Sequence, residues 1–348
     1  MKLEVKATNS PPPSSVLQHA WERQSTYGKN AKASQSRFFC LRIGILVLSV
    51  LATLLAVTHS VIGEILGNSH AAIKVIHLFL LLVPIILSVL LAGAVKFDKG
   101  NNWILLRGSA ELLKKEIYCY RARVGNYSDL NSRDALLANK VKLISQRLKG
   151  TPIHYTSLSP YEGEVLSKNN LFNLFKGKGN KPQEEHNKND DKFSDLTATN
   201  YLKWRLEDQF NWYRKKTRQL DKQLHYFQWG VYILGGIGTF LVAVKQEIWV
   251  AVSTVLAAVF SSFLEIKRVE ATLIAYNQAA DDLYDISTWW SSLSDQAKLD
   301  NFELLVLKTE TTIQSENAGW VQEMNDALTE LYGETKKLDT ESSHEFKG

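Results

Sequence analysis

The chain has 348 residues, 45% of them hydrophobic and 22% charged, with a formal net charge of +5 and a mean hydropathy of −0.17. Those averages would suit a soluble protein, but the apolar residues are gathered into four blocks with the charges packed between them, which is the signature of membrane spans. Two cysteines, Cys40 and Cys119, give no paired framework, so the disulfide-stapled secreted class is excluded and a reducing cytosol suits both.

In chain order, residues 1–15, with the run Pro11-Pro12-Pro13, read as a disordered cytosolic tail. A first helical unit is expected over 16–149, with spans at 43–62 and 75–95, each free of formal charge. At about 1.5 Å per residue such segments cross roughly 30 Å of hydrocarbon. The first block begins too late, and a second follows too soon, for a cleaved signal peptide. Residues 150–195 are rich in Lys, Asn, Gly, Asp and Ser and read as a flexible linker, because such a composition buries too little apolar surface to offset chain entropy.

The second helical unit is expected over 196–333. Leu206, Phe210, Tyr213, Thr217, Leu220, Leu224 and Phe227 recur at alternating steps of four and three, placing one apolar stripe on a helix that leads into a third span at 227–244. A fourth span follows at 248–264. Both are short for spans, and the alternative for them is a buried soluble hairpin. Val269, Leu273, Tyr276, Ala280 and Leu283 continue the stripe, and Phe302, Leu305, Trp320, Met324, Leu328 and Leu331 mark a last helix before a tail at 334–348. The fold class is therefore all-α, an integral membrane protein with two transmembrane helical hairpins, four spans in all, and cytosolic helical extensions.

Basic residues set the orientation. Lys29, Lys32, Arg37 and Arg42 precede the first span, and Lys96, Lys99, Arg107, Lys114 and Lys115 follow the second. Arg214, Lys215, Lys216, Arg218 and Lys222 precede the third, and Lys267 and Arg268 follow the fourth, whereas the turns carry only Lys74 and Lys245. By the positive-inside rule both turns face out and both termini lie in the cytoplasm, in the inner membrane of the cell. The halves also read as copies: WILLRGSAELLKKEIY from Trp103 matches TLIAYNQAADDLYDIS from Thr272 in texture at a constant offset.

The stretch YLKWRLEDQFNWYRKKTRQLDKQLHYFQ, the span VYILGGIGTFLVA, the Tyr276-Asn277 helix and the ENAGWVQEM segment around Trp320 resemble the SLATT family, two-span membrane proteins associated with nucleotide-sensing systems. The resemblance covers about 197–333; the first half resembles the same unit more loosely, as a tandem copy. It implies a membrane effector that forms a pore or perturbs the bilayer in bacterial conflict systems. A cytosolic sensor protein and a homo-oligomer would be its partners.

Three groups of residues are candidates for that role. Gly235, Gly236, Gly238 and Thr239 put small residues on the third span, for helix packing around an oligomeric axis or for packing within the hairpin, and Pro84 sits mid-span as a kink or gate. Asp281, Asp282 and Asp285 would ring a cytosolic vestibule in a symmetric oligomer, or simply form a solvated helix face. His70, Lys74 and His77 share one face at the outer end of the second span, with His59 and Glu64 across the turn, and could sense pH or merely meet water. No catalytic motif, cofactor fingerprint or metal-ligand spacing is present in the sequence, so neither an enzyme nor a cofactor is expected. The aromatic, basic helix around Trp204, Trp212 and Arg214 suits lipid headgroups better than nucleic acid. The rival reading is a membrane-anchored interaction or scaffold protein whose cytosolic helices bind a partner.

Overall fold

The computed structural model describes residues 14–66, 71–97, 100–149, 151, 158 and 190–345. Helix α1 runs from Ser15 to Leu66 without a proline. Then come α2 (Ala71–Phe97), α3 (Gly100–Ala122) and α4 (Arg133–Arg147). The second half holds α5 (Ala198–Tyr201), a π-helical turn (Leu202–Glu207), α6 (Asp208–Ala243), α7 (Val250–Ile266), α8 (Val269–Ser292), α9 (Asp295–Asp300) and α10 (Phe302–Glu345). Among the described residues there is no strand. The expected linker lies largely outside the described residues, but its end, from Asp190, is ordered, and the expected tail at 334–348 is helical as far as Glu345.

Among the described residues, four helices are long and apolar enough to cross a membrane, within 15–63, 73–94, 198–243 and 247–292. Only 6% to 11% of each apolar window is buried. A soluble hairpin would have to bury those faces, so the low figures favour spans in lipid. Leu78, Phe79, Leu81, Ile85 and Val89 on α2, and Trp229, Tyr232, Ile233 and Phe240 on α6, are all exposed.

Two compact units form, and each draws on both sequence halves. One comprises residues 1–31, 105–215 and 276–319; the other comprises 32–104, 216–275 and 320–348. The expected repeat divides the chain by sequence half, whereas the compact bodies are made of segments from both halves, because each half feeds polar helices to the first unit and spans to the second.

Burial in the first unit recurs at the offset expected of the repeat. Leu137, Val141, Ile144 and Leu148 are buried along and just beyond α4, and so are Val306, Glu310, Ile313 and Asn317 on α10, each 169 positions later. Ala110 and Ile117 on α3 and their counterparts Ala279 and Ile286 on α8 are buried too. Arg107 then hydrogen-bonds Tyr276, its own counterpart at a separation of 169 (3.3 Å).

The second unit is anchored by Phe38, Trp103, Ile104, Trp320 and Met324, with Phe39, Ile266 and Val321 packed against them. Trp103 and Trp320 meet edge to face with centroids 5.1 Å apart, an arrangement worth about 0.5–1.5 kcal/mol beyond area burial. Trp320 belongs to the quoted ENAGWVQEM segment, so one residue that carries the resemblance is also a core residue.

Candidate functional site

In the second unit, α6 and α7 form a hairpin whose turn is closed by a left-handed Lys245 (φ 60). The amide of Gln246 donates to the carbonyl of Leu241 across it (2.8 Å), a helix C-terminal cap of the Schellman kind with lysine where glycine is usual. The glycines of α6 separate into two faces. A Cβ added at Gly230 would fall 2.5 Å from Phe260, and one at Gly238 would fall 3.0 Å from Ser253 Oγ, whereas Gly235 and Gly236 have nothing within 4 Å. Gly230 and Gly238 lie eight residues apart on one helix face, and Ser253 and Phe260 lie seven apart on the facing helix, so these four make the close seam. Phe227 extends it by stacking on Phe263, with centroids 4.6 Å apart.

The small-residue cluster thus has two roles. Gly238 packs inside the hairpin, while Gly235, Gly236 and Thr239 are exposed, Thr239 returning its hydroxyl to the Gly235 carbonyl (3.1 Å). Gly230 was not singled out from the sequence, although its spacing of eight from Gly238 was available as a signal. Pro84 is exposed within an α2 that continues through it, and Ser88 Oγ donates to its carbonyl (2.9 Å).

At the other end of the first hairpin, His59 of α1 and His77 of α2 face each other with ring centroids 5.6 Å apart. Lys74 is exposed, and His70 lies outside the described residues. The face expected from His70, Lys74 and His77 is therefore joined by His59 from the facing helix. Among the described residues no group of three or more His, Cys, Asp or Glu is placed to hold a metal.

Where α7 meets α8, Arg268 takes a left-handed conformation (φ 48) and pairs with Glu265 and, at 2.8 Å, with Glu323. Lys267 lies over the rings of Phe263 (4.4 Å) and Phe39 (5.7 Å), and burial lowers the pKa of its ammonium. A cation on aromatic faces is stabilised without a carboxylate.

The first unit holds a buried polar network that the sequence did not announce. Arg205 Nε and a terminal nitrogen each donate to Glu310 at 2.8 Å, and the Tyr201 hydroxyl donates to the same carboxylate at 3.0 Å. Both charged side chains are almost wholly inaccessible, at 2% and 0%, and the guanidinium sits 4.6 Å from the Tyr118 ring centroid. The π turn explains how it gets there. An extra residue in the turn shifts the register, so the buried line runs Tyr201, Arg205, Gln209, Tyr213, Thr217 in steps of four. The expected stripe keeps Leu206, Tyr213 and Thr217 buried, but Phe210, Leu220, Leu224 and Phe227 are only partly covered.

Next along, Tyr213 donates to Glu316 Oε2 (2.8 Å), while Glu316 Oε1 and Asn317 Oδ1 are buried without a protein partner. Burial raises the Glu316 pKa above the ordinary carboxylate range, although Arg107 and the Tyr213 hydroxyl pull it down. Burial likewise lowers the pKa of Lys114 and pushes the Tyr118 hydroxyl up to about 12. By contrast, Asp281, Asp282 and Asp285 are exposed on α8, opposite the buried Tyr276, Ala279, Ala280 and Leu283, which is the placement of a solvated helix face.

Arg121 anchors the ordered end of the expected linker. It is fully buried, donates to both carboxylate oxygens of Asp190, one bond being 2.9 Å, and donates to the Ser194 carbonyl at 2.9 Å.

Residues 201–320 match the family model described as SMODS and SLOG-associating 2TM effector domain 1. Residues 22–135 match a second, described as a protein of unknown function (DUF4231), consistent with a tandem domain in the first half. No curated protein and no solved structure matches the chain.

Proposed function

We propose that this membrane protein, whose residues 201–320 match the SLATT two-span effector domain, acts by assembling several copies into an ion-conducting pore. The observation that carries the reading is the division of glycines on α6. Gly230 and Gly238 are used up against α7, while Gly235 and Gly236 are exposed with open space around them. In lipid, exposed small residues on a span favour close approach of another helix, because backbones can come together and gain dispersion contacts that lipid tails match poorly. A second copy is the partner such a face suits, since four spans enclose no water-filled path unaided. The Lys and Arg flanks of the spans support an orientation with both termini on the cytoplasmic side of the inner membrane.

The mass of the complex in nanodiscs tests this, followed by conductance in liposomes. A defined oligomer that conducts supports the pore, and Gly235→Leu should then disperse it. A monomer, or an oligomer that never conducts under any ligand or voltage, overturns the pore and leaves a membrane-anchored adaptor whose first unit binds a partner.

A further inference from the structure

A cavity of about 620 Å³ opens in the first unit between the start of α1 and α4. Its wall is made by Ser15, Val16, His19 and Arg23 on one side and by Ala138, Val141, Lys142, Ser145, Gln146 and Lys149 on the other. No carboxylate is among them. The basic residues are arranged by helix periodicity: His19 and Arg23 are four apart on α1, and Lys142, Gln146 and Lys149 follow at steps of four and three along α4, so each set shares one face.

Arg23 is held across the gap. One terminal nitrogen lies 3.5 Å from Ser145 Oγ and the other 3.5 Å from the His19 ring. Ser145 itself is fixed, donating to the Val141 carbonyl at 2.8 Å and accepting from Tyr27 at 3.0 Å. The carboxylate nearest in sequence to these walls on α4, Asp134, is engaged by Ser14 and Tyr120. Three permanent cations and an imidazole therefore surround one concavity floored by buried Val141, with hydroxyl and amide groups between them.

Like charges collected in a concave, low-dielectric wall repel one another and focus a positive potential, which an anion relieves. The volume falls within the roughly 300–1,000 Å³ of small-molecule sites. Spread cations with interleaved hydroxyls match a ligand carrying several phosphate oxygens better than a single carboxylate. At the end of the wall, Ser15 and Val16 belong to the first turn of α1, whose amides have no intrahelical carbonyl to serve.

We infer that this cavity binds a small molecule bearing more than one phosphate group, held by Arg23, Lys142 and Lys149 with Gln146. None of its lining residues belongs to the expected spans, and binding here does not depend on whether those spans conduct.

The test is calorimetric titration of tripolyphosphate into the full chain in phosphatidylcholine nanodiscs at about 0.15 M salt, where long-range surface attraction is screened. Saturable binding is expected, weakened roughly tenfold or more by Lys142→Glu with Lys149→Glu, both exposed positions. Lys203→Glu, exposed and outside the cavity, should leave it within about twofold. Repeating the titration with phosphatidylglycerol in the nanodiscs separates the sources of phosphate. Binding that survives assigns the cavity to a free compound, and binding blocked there alone assigns it to a lipid headgroup. No saturable binding in either preparation, or equal binding by wild type and the double variant, overturns the inference.

Discussion

Glu310→Leu should destabilise the first unit far more than a surface change, because it strands Arg205. In the native chain the guanidinium makes two charge-assisted bonds of 2.8 Å to Glu310, and Tyr201 adds a third donor at 3.0 Å. Each charge-assisted bond contributes about 1.5–3 kcal/mol. The remaining cation, with a side chain only 2% exposed, cannot recover its hydration without local opening. Breaking a buried pair from one side costs about 3–5 kcal/mol, whereas replacing both partners with apolar residues of similar volume is often close to neutral. Arg205→Met with Glu310→Leu should therefore be more stable than Glu310→Leu alone. Urea unfolding of the full chain in detergent micelles, followed by tryptophan fluorescence, measures this: at an m-value of about 2 kcal/mol/M the single variant's midpoint falls by roughly 1.5–2.5 M. A single variant within about 1 kcal/mol of wild type, or a double variant no more stable than the single, would refute the account of a buried, mutually dependent pair.

Glu316 carries a pH dependence of the opposite sense to an ordinary surface acid. Its pKa is raised on folding by burial, so its favourable contribution is present below the ordinary value of 4.5 and is lost as pH rises through the folded value; Glu316→Gln should gain stability relative to wild type as pH rises above that range, and parallel pH profiles of unfolding would count against it. Gly230→Ala should loosen the α6–α7 hairpin by about 1–3 kcal/mol, since the new methyl meets a Phe260 ring already packed on Phe227. Gly235→Ala, with open space around it, should leave that hairpin intact, and equal thermal losses for the two in detergent would remove the two-face description of α6. Maleimide should label exposed Cys40 quickly and buried Cys119 only on unfolding, because burial also pushes the Cys119 pKa up; a membrane-impermeant maleimide that labels Cys40 from outside intact cells would reverse the proposed orientation.

The sequence alone determined the four spans. Hydrophobicity along a span is a local property, requiring about 20 contiguous apolar residues, and no tertiary contact is needed to recognise it. The repeat is expected for a related reason: α3 and α8 keep the same residue texture at a constant offset, and matched positions such as Ile117 and Ile286 are each buried. The tertiary structure alone decided which polar residues go inside. Arg205 and Glu310 lie 105 positions apart, and each taken singly is a charged residue that belongs on a solvated face. Only the π turn and the packing of α10 bring them together, where each removes the cost of burying the other. The glycines follow the same logic, since the run at 235–238 stood out by composition while the tightest contact belongs to Gly230, chosen by where Phe260 arrives from α7. Composition along one chain records what a segment can dissolve in; which face meets which partner depends on helix rotation, and that is settled only when a second helix packs against the first.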